Sequence, residues 1–342
     1  MFFASDNTSA AHPKVMESLM LANDGYTPAY GADPFTDVLT ERVREMFGAP
    51  DALVYPMASG TATNAALLAA MSPPWGVIYC HETAHIEVDE RGAATFYAGG
   101  AKLRALPSLD SRLNSESLSR AIARDRAGHD IHAMPPAAVS LTNLTEYGEA
   151  YTPAHIEALV DTARLPMHMD GARFANAIAA TGCSPWEMTR EMSALSLGGT
   201  KNGAMTAELA ILFDPDLKDA FESHRMRGGH NVSKARFISA QMLAWLEDDL
   251  WLELATHANA MATRLADGLE ERGAEMDYAV DGNMIFARMP LEAHRQAWRK
   301  GAVYHPWEDV TGLAPDAPVL ARLVTSWSTT EEDVDALLAA LD

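Results

Sequence analysis

The residues best suited to chemistry lie in four short segments. In Ser196-Leu197-Gly198-Gly199-Thr200-Lys201-Asn202-Gly203-Ala204, one lysine sits among small residues between two apolar runs. Packed away from water, a lysine loses part of its preference for the ammonium form and becomes a nucleophile; on a surface loop it is only a solvated cation. In His168-Met169-Asp170-Gly171-Ala172-Arg173, a carboxylate ends an apolar run, and a buried carboxylate requires a cation. A protonated pyridine nitrogen is such a cation, and the pairing keeps the ring an electron sink. Arg173 can clamp a carboxylate with two parallel bonds, or simply pair with Asp170. His168 shares a strand face with Asp170 and reads as a packed core histidine.

The third segment, Ser59-Gly60-Thr61, opens an Ala-rich stretch that runs to Met71. Small and hydroxylic residues at a helix start leave backbone N–H groups free at the positive end of the dipole, which makes an anion site; a plain N-cap is the simpler reading. The fourth, His81-Glu82-Thr83-Ala84-His85, fits the HExxH pattern of zinc hydrolases. That pattern needs both histidines on a regular helix. Here it follows directly on the apolar run Val77–Tyr79, with Gly92 close behind, so it lacks its context and no metal site is expected. Outside these segments, Arg322 interrupts the apolar run Leu320–Val324. A buried arginine demands an anion, either a ligand carboxylate or a structural Asp or Glu.

The elements that must position these residues alternate. Strands are predicted at Ala52–Tyr55, Val77–Tyr79, Leu103–Leu106, Ala137–Leu141, Pro166–Asp170, Ala194–Leu197 and Leu209–Phe213. Helices are predicted at Thr61–Met71, around Leu118–Ala123, after Thr152 as N-cap with Pro153 at N1, and at Arg173–Ala180. Such alternation implies a mostly parallel sheet covered on both faces, with ligands outside the carboxyl ends of its strands. The four segments fall at those ends. The first thirty-odd residues, rich in Gly, Pro, Asn, Asp and Tyr, read as an arm or lid. From about residue 235 a long helical region, Lys234–Glu271, leads to strands near Met284–Arg288 and Leu320–Thr325 and a last helix, Thr330–Leu341. We therefore expect an arm and large α/β domain over 1–245 and a small α+β domain over 246–342.

Composition narrows the function classes. The chain has 342 residues, enough for one large domain and a smaller one. Its net charge of −21 repels phosphate backbones and anionic headgroups, so neither nucleic acid nor a membrane is an expected partner. Cys80 and Cys183 are too far apart in sequence to suggest a disulfide framework or a cysteine-rich zinc site. The start, Met1-Phe2-Phe3-Ala4-Ser5-Asp6, has no basic region and no long apolar stretch, so a cytoplasmic location is expected.

Taken in order, these segments resemble the low-specificity L-threonine aldolases, in the β-eliminating lyase group of pyridoxal 5'-phosphate (PLP) enzymes. The likeness starts at Ser5-Asp6 and runs through Tyr30-Gly31-Ala32-Asp33-Pro34, Ser59–Asn64, Ala84-His85, His168–Arg173 and Gly199-Thr200-Lys201 to Arg322-Leu323-Val324-Thr325-Ser326-Trp327. It implies fold type I, the aspartate-aminotransferase-type PLP-dependent transferase-like fold. It also implies retro-aldol cleavage of L-threonine, L-allo-threonine and related β-hydroxy-α-amino acids to glycine and an aldehyde. By the same resemblance, Lys201 carries PLP as a Schiff base and Asp170 pairs with the pyridine nitrogen. His85 stacks on the ring, and Ser59, Gly60 and Thr61 cradle the phosphate. Ser5, Arg173 and Arg322 bind the amino acid, and Tyr30 serves the active site of a neighbouring subunit in a homotetramer.

Two departures stand out. Many relatives carry a second histidine where this chain has Thr142-Asn143-Leu144-Thr145-Glu146-Tyr147, so the expected base is His85, directly or through water, with Glu146 second. Some relatives reach the phosphate across the interface with an arginine near Gly229-His230-Asn231-Val232-Ser233-Lys234, where Ser233 or Lys234 is the substitute here. Another PLP lyase of the same fold, a phenylserine aldolase or a β-eliminating enzyme, is the alternative, and a zinc hydrolase built on His81–His85 a remote one.

Overall fold

Seven apolar runs become one sheet: β1 (Leu53–Met57), β2 (Val77–His81), β3 (Lys102–Leu106), β4 (Pro136–Thr142), β5 (Met167–Gly171), β6 (Ala194–Gly198) and β7 (Glu208–Leu212). Their order is β1-β7-β6-β5-β4-β2-β3 in this computed structural model, which describes residues 1–108, 110–127 and 131–341. Every neighbouring pair is parallel except β6–β7 and β7–β1, so β7 alone runs against the rest. All residues of β2, β5, β6 and β7 are buried, as expected of strands covered on both faces. One cover is the helix Gly60–Met71, whose alanines and leucines pack on Ile78, Cys80, Ala138, Ala194 and Ala210. The other face packs Val139, Met169, Leu195 and Ile211 against the helices Pro34–Phe47, Pro153–Ala163 and Arg236–Leu246.

A second, antiparallel sheet has the order β10-β11-β9-β8, from β8 (Glu275–Met276), β9 (Met284–Pro290), β10 (His305–Pro306) and β11 (Pro318–Val324). Its core joins Ile285, Ala287, Ala321 and Leu323 to Leu265 and Leu269 of the helix Leu250–Glu270 and to Leu337 of the helix Glu331–Leu341. Trp251 and Ala255, at the start of that long helix, still pack in the core of the first sheet. No helix among the described residues is long and apolar enough to cross a membrane.

Two expectations are corrected. The first thirty residues are not a loose arm. Phe3 is fully buried in the second core, its N–H donates to Val303 O at 2.8 Å, and its carbonyl accepts from Val324 N–H at 2.8 Å. A helix follows at Pro13–Ala22, capped by His12 and started by Pro13, with Val15 and Ala22 buried. Met16, Met20 and Leu21 of the same helix stay exposed. The long helical region also breaks: Asp248 (φ 51°) and Asp249 (φ 55°) take left-handed backbone between Arg236–Leu246 and Leu250–Glu270. Aspartate tolerates that conformation better than most residues.

Candidate active site

The strand ends converge as parallel topology requires. A cavity of about 300 Å³ is lined by Ser59, Gly60, Thr61, His85, Glu146, Asp170, Arg173 and Lys201, all singled out from sequence. Asn7, Asn64, Glu90, Thr142, Thr200 and Glu208 line it too. Asp170 stands at the end of β5, where Oδ1 accepts from Ala172 N–H at 3.0 Å and Oδ2 from Asn64 Nδ2 at 2.8 Å. Lys201 comes from the 3-10 turn Thr200–Asn202 just after β6. A Cβ on Gly198 would lie 2.8 Å from the Ala172 backbone and 3.0 Å from Glu208 Oε2, so that crossing point accepts only glycine. Burial and the nearby Arg173 cation push the Lys201 ammonium below its ordinary pKa, against the pull of Asp6, Asp170 and Glu208.

Glu208 lies one residue before the apolar run Leu209–Phe213, so the apolar pattern does not include it. β7 runs antiparallel, so its first residue, not its last, reaches the ligand edge of the sheet, opposite Gly198. Burial raises the Glu208 carboxyl to about 7.

His85 opens a one-turn helix, His85–Val88. Its backbone N–H donates to Glu146 Oε1 at 2.6 Å, and Thr142 Oγ1 donates to the same oxygen at 3.0 Å. Burial, with Asp170 adding to it, still raises Glu146 to about 7. His85 Nδ1 lies 2.9 Å from Glu90 Oε1, and that carboxylate lifts the imidazole above its ordinary value although burial opposes it. His168 is fully buried with Nδ1 2.9 Å from Ser140 Oγ, and burial lowers it to about 4: a neutral core histidine.

Other residues fall elsewhere. Arg173 does not pair with Asp170; it donates to Asp6 through Nε at 2.7 Å and Nη2 at 3.0 Å. The Ser5 side chain accepts from Asn7 N–H and caps a 3-10 turn, Asp6–Thr8, outside the cavity lining. Arg322 Nη2 donates to Ala4 O at 3.2 Å, its guanidinium lies 4.9 Å from the Trp307 ring centre, and its buried Nε has no hydrogen-bond partner among the described residues. Tyr30 is exposed, lines a cavity other than that of Lys201, and donates its N–H to Ser233 O at 3.0 Å.

The zinc reading fails on geometry. His81 ends β2, with Nδ1 2.7 Å from Thr83 Oγ1 and Nε2 3.2 Å from Ser108 Oγ. His85 belongs to a separate turn, and Glu82 is exposed.

Known proteins resemble this chain over most of its length. The β-eliminating lyase family matches residues 3–291. The chain is 36% identical over 343 residues to a low specificity L-threonine aldolase of Pseudomonas sp. (strain NCIMB 10558), covering 98% of this chain and 96% of that protein. A second, from Pseudomonas aeruginosa, is 36% identical with coverage of 98% and 95%. Among solved structures, threonine aldolase of Leishmania major superposes with a TM-score of 0.93 at 25% identity, covering 99% of this chain and 98% of that one. Sphingomonas wittichii serine palmitoyltransferase shares the fold, with a TM-score of 0.70 at 14% identity, covering 100% and 86%.

Proposed function

The chain belongs to the β-eliminating lyase family, and from that premise we propose that it is a PLP-dependent aldolase. Its substrates are L-threonine, L-allo-threonine and related β-hydroxy-α-amino acids, and its products are glycine and an aldehyde. The observation that carries this reading is the pairing of Lys201 and Asp170 in one cavity at a helix N-terminus.

The residues present fit PLP. Ser59 caps the helix and accepts from Ala62 N–H, which leaves the Gly60 and Thr61 N–H groups for a phosphate. A Cβ at Gly60 would meet nothing within 4 Å, so the cradle is open. Asp170 is the buried carboxylate for a pyridinium nitrogen, His85 the ring for its face, and Lys201 the amine for its aldehyde. Bound there, PLP supplies the electron sink for the pair left on Cα when the Cα–Cβ bond breaks.

The chain's own residues do the rest. Arg173 keeps Nη1 for the substrate carboxylate while Asp6 holds its other side. Arg322, with an unsatisfied Nε, is the second arginine, and Ser5 serves the same end through the turn it caps. The β-hydroxyl proton needs a base. His85 is the first choice and Glu146 the second, since a carboxyl titrating near 7 suits proton transfer at neutral pH. Tyr30 and Ser233, exposed together and away from the cavity, support a role toward a neighbouring copy, in keeping with a homotetramer.

The test is the visible spectrum before and after borohydride, followed by product analysis. A yellow band that bleaches, with mass added to the Lys201 peptide, is expected, together with glycine and an aldehyde. A colourless protein that PLP does not restore overturns the assignment, and ammonia with a keto acid would make it a β-eliminating enzyme instead.

A further inference from the structure

Glu90 has no role in the reading above, yet it is a buried carboxylate in hydrogen-bond reach of His85. Its side chain is 0% exposed. Oε1 lies 2.9 Å from His85 Nδ1 and accepts from Asn64 Nδ2 at 3.0 Å; the same Asn64 nitrogen donates to Asp170 Oδ2 at 2.8 Å. A ring nitrogen of His85 and a carboxylate oxygen each of Glu90 and Asp170 all lie within 4.8 Å of one another. Two carboxylates this close repel unless donors stand between them, and the Asn64 amide, with one hydrogen for each, is that donor.

We propose that Glu90 is a positioning residue: it accepts the Nδ1 hydrogen of His85, fixes the ring, leaves Nε2 as its free nitrogen, and through Asn64 ties that ring to Asp170. This rests on the proposed aldolase site and adds to it the residues that set its histidine. The physical reason is tautomer control. A neutral imidazole carries one N–H, and the hydrogen bond made by one nitrogen decides which role the other plays. A carboxylate at Nδ1 keeps the proton there, so Nε2 is the lone-pair nitrogen, fit to accept a hydroxyl proton.

Among the described residues buried Glu90 Oε2 has no hydrogen-bond partner, so the carboxylate is held through Oε1 alone, by His85 Nδ1 and Asn64 Nδ2. The groups that bear on His85 from around it are Glu90, Asp170 and Lys201, with Glu146 on its backbone N–H. Glu90 and Asp170 favour the imidazolium and Lys201 disfavours it. Glu90 is the one in hydrogen-bond contact with the ring.

The experiment is an NMR titration of histidine-labelled protein stripped of cofactor, with the His85 signal assigned by its loss in His85→Asn. In the unmutated protein, neutral His85 must show the Nδ1–H tautomer, and a dominant Nε2–H form overturns the proposal with no variant needed. In Glu90→Gln the His85 midpoint should fall by about one to three units, and in Glu90→Asp it should recover part of that fall. In the holoenzyme, the acid limb of the pH–rate profile should move to lower pH in Glu90→Gln by a similar amount. An unchanged midpoint in folded Glu90→Gln overturns the role given to Glu90. Asn64→Leu keeps the size and removes the donors; it should raise the His85 midpoint and weaken PLP retention, and wild-type values of both would remove Asn64 from the linkage. Failure of the aldolase reading is seen separately, as an unmutated protein that binds PLP without making glycine or does not bind it at all.

Discussion

Arg173 grips Asp6 with two bonds across 167 positions of sequence, Nε to Oδ2 at 2.7 Å and Nη2 to Oδ1 at 3.0 Å. The pair joins the N-terminal segment to the end of β5, and Asn283 Nδ2 adds a third bond to Asp6 at 3.0 Å. It is nearly dry, with the two side chains 12% and 1% exposed. Burial alone would raise the Asp6 carboxyl, but Arg173 and Lys201 bring it below its ordinary value. Removing one partner of a buried pair leaves the other charge unpaired, so Asp6→Ala should cost about 3–5 kcal/mol in urea unfolding. The sign of its pH dependence follows. A depressed carboxyl contributes stability above its unfolded pKa and loses it as pH falls through the lower folded value, so the gap between wild type and Asp6→Ala should close in strong acid. A loss under about 1 kcal/mol at neutral pH would mean the pair is solvated, like a surface bridge.

Lys201→Ala should remove the visible band of lysine-linked PLP and nearly all glycine formation. PLP itself should still bind through Asp170 and the Gly60–Thr61 N–H groups, at reduced affinity in equilibrium dialysis. Full activity in this variant would end the assignment of Lys201.

Much of this was legible in the chain because it rests on local chemistry. The small residues around Lys201, the strand-ending Asp170 and the Ser59 cap each follow from one segment, and parallel topology brings the strand ends together. What escaped depends on contacts made elsewhere. Glu90 and Asn64 lie 26 residues apart and meet only because the helix Gly60–Met71 lies across the sheet beside the His85 turn. Glu208 needed the direction of β7, which no apolar pattern encodes. Asp6 needed Arg173, and the Arg173–Asp170 pair suggested by their spacing does not form because the N-terminal segment claims the guanidinium first.

Arg322→Ala should raise KM for the amino acid far more than it weakens PLP. Its guanidinium contacts Ala4 O and the face of Trp307, and its Nε has no partner among the described residues, an absence that the proposed substrate carboxylate would fill. Loss of PLP with unchanged substrate affinity would contradict that role. The two constants are measured separately, by cofactor titration and by initial rates at saturating PLP.

Glu208 is a buried carboxyl raised to about 7 against an ordinary value of 4.5. The folded state therefore holds its proton where the unfolded chain has lost it, and stability must fall as pH rises between those two values. In protein stripped of cofactor, Glu208→Gln should remove up to about 3 kcal/mol of the stability lost between pH 5 and pH 8. Urea midpoints at the two pH values measure this, and equal losses in wild type and variant would show that the carboxyl is charged throughout.

The choice of base between His85 and Glu146 is decided by two variants read across pH. A base must be deprotonated to act, so a Glu146 carboxyl titrating at about 7 as base gives a rate that rises through neutral pH on its acid side. Glu146→Gln would then abolish turnover at every pH, whereas His85→Asn would leave a residual rate with the same limb. If His85 is the base, the assignments exchange. His85→Asn loses turnover, and Glu146→Gln keeps a substantial rate because its side-chain oxygen still accepts from the His85 N–H and the Thr142 hydroxyl. In that case its acid limb also moves slightly lower, since a negative charge near the imidazole has been removed. A loss of more than a hundredfold in both variants, with PLP still bound in each, would mean that the two groups act as one proton-transfer unit.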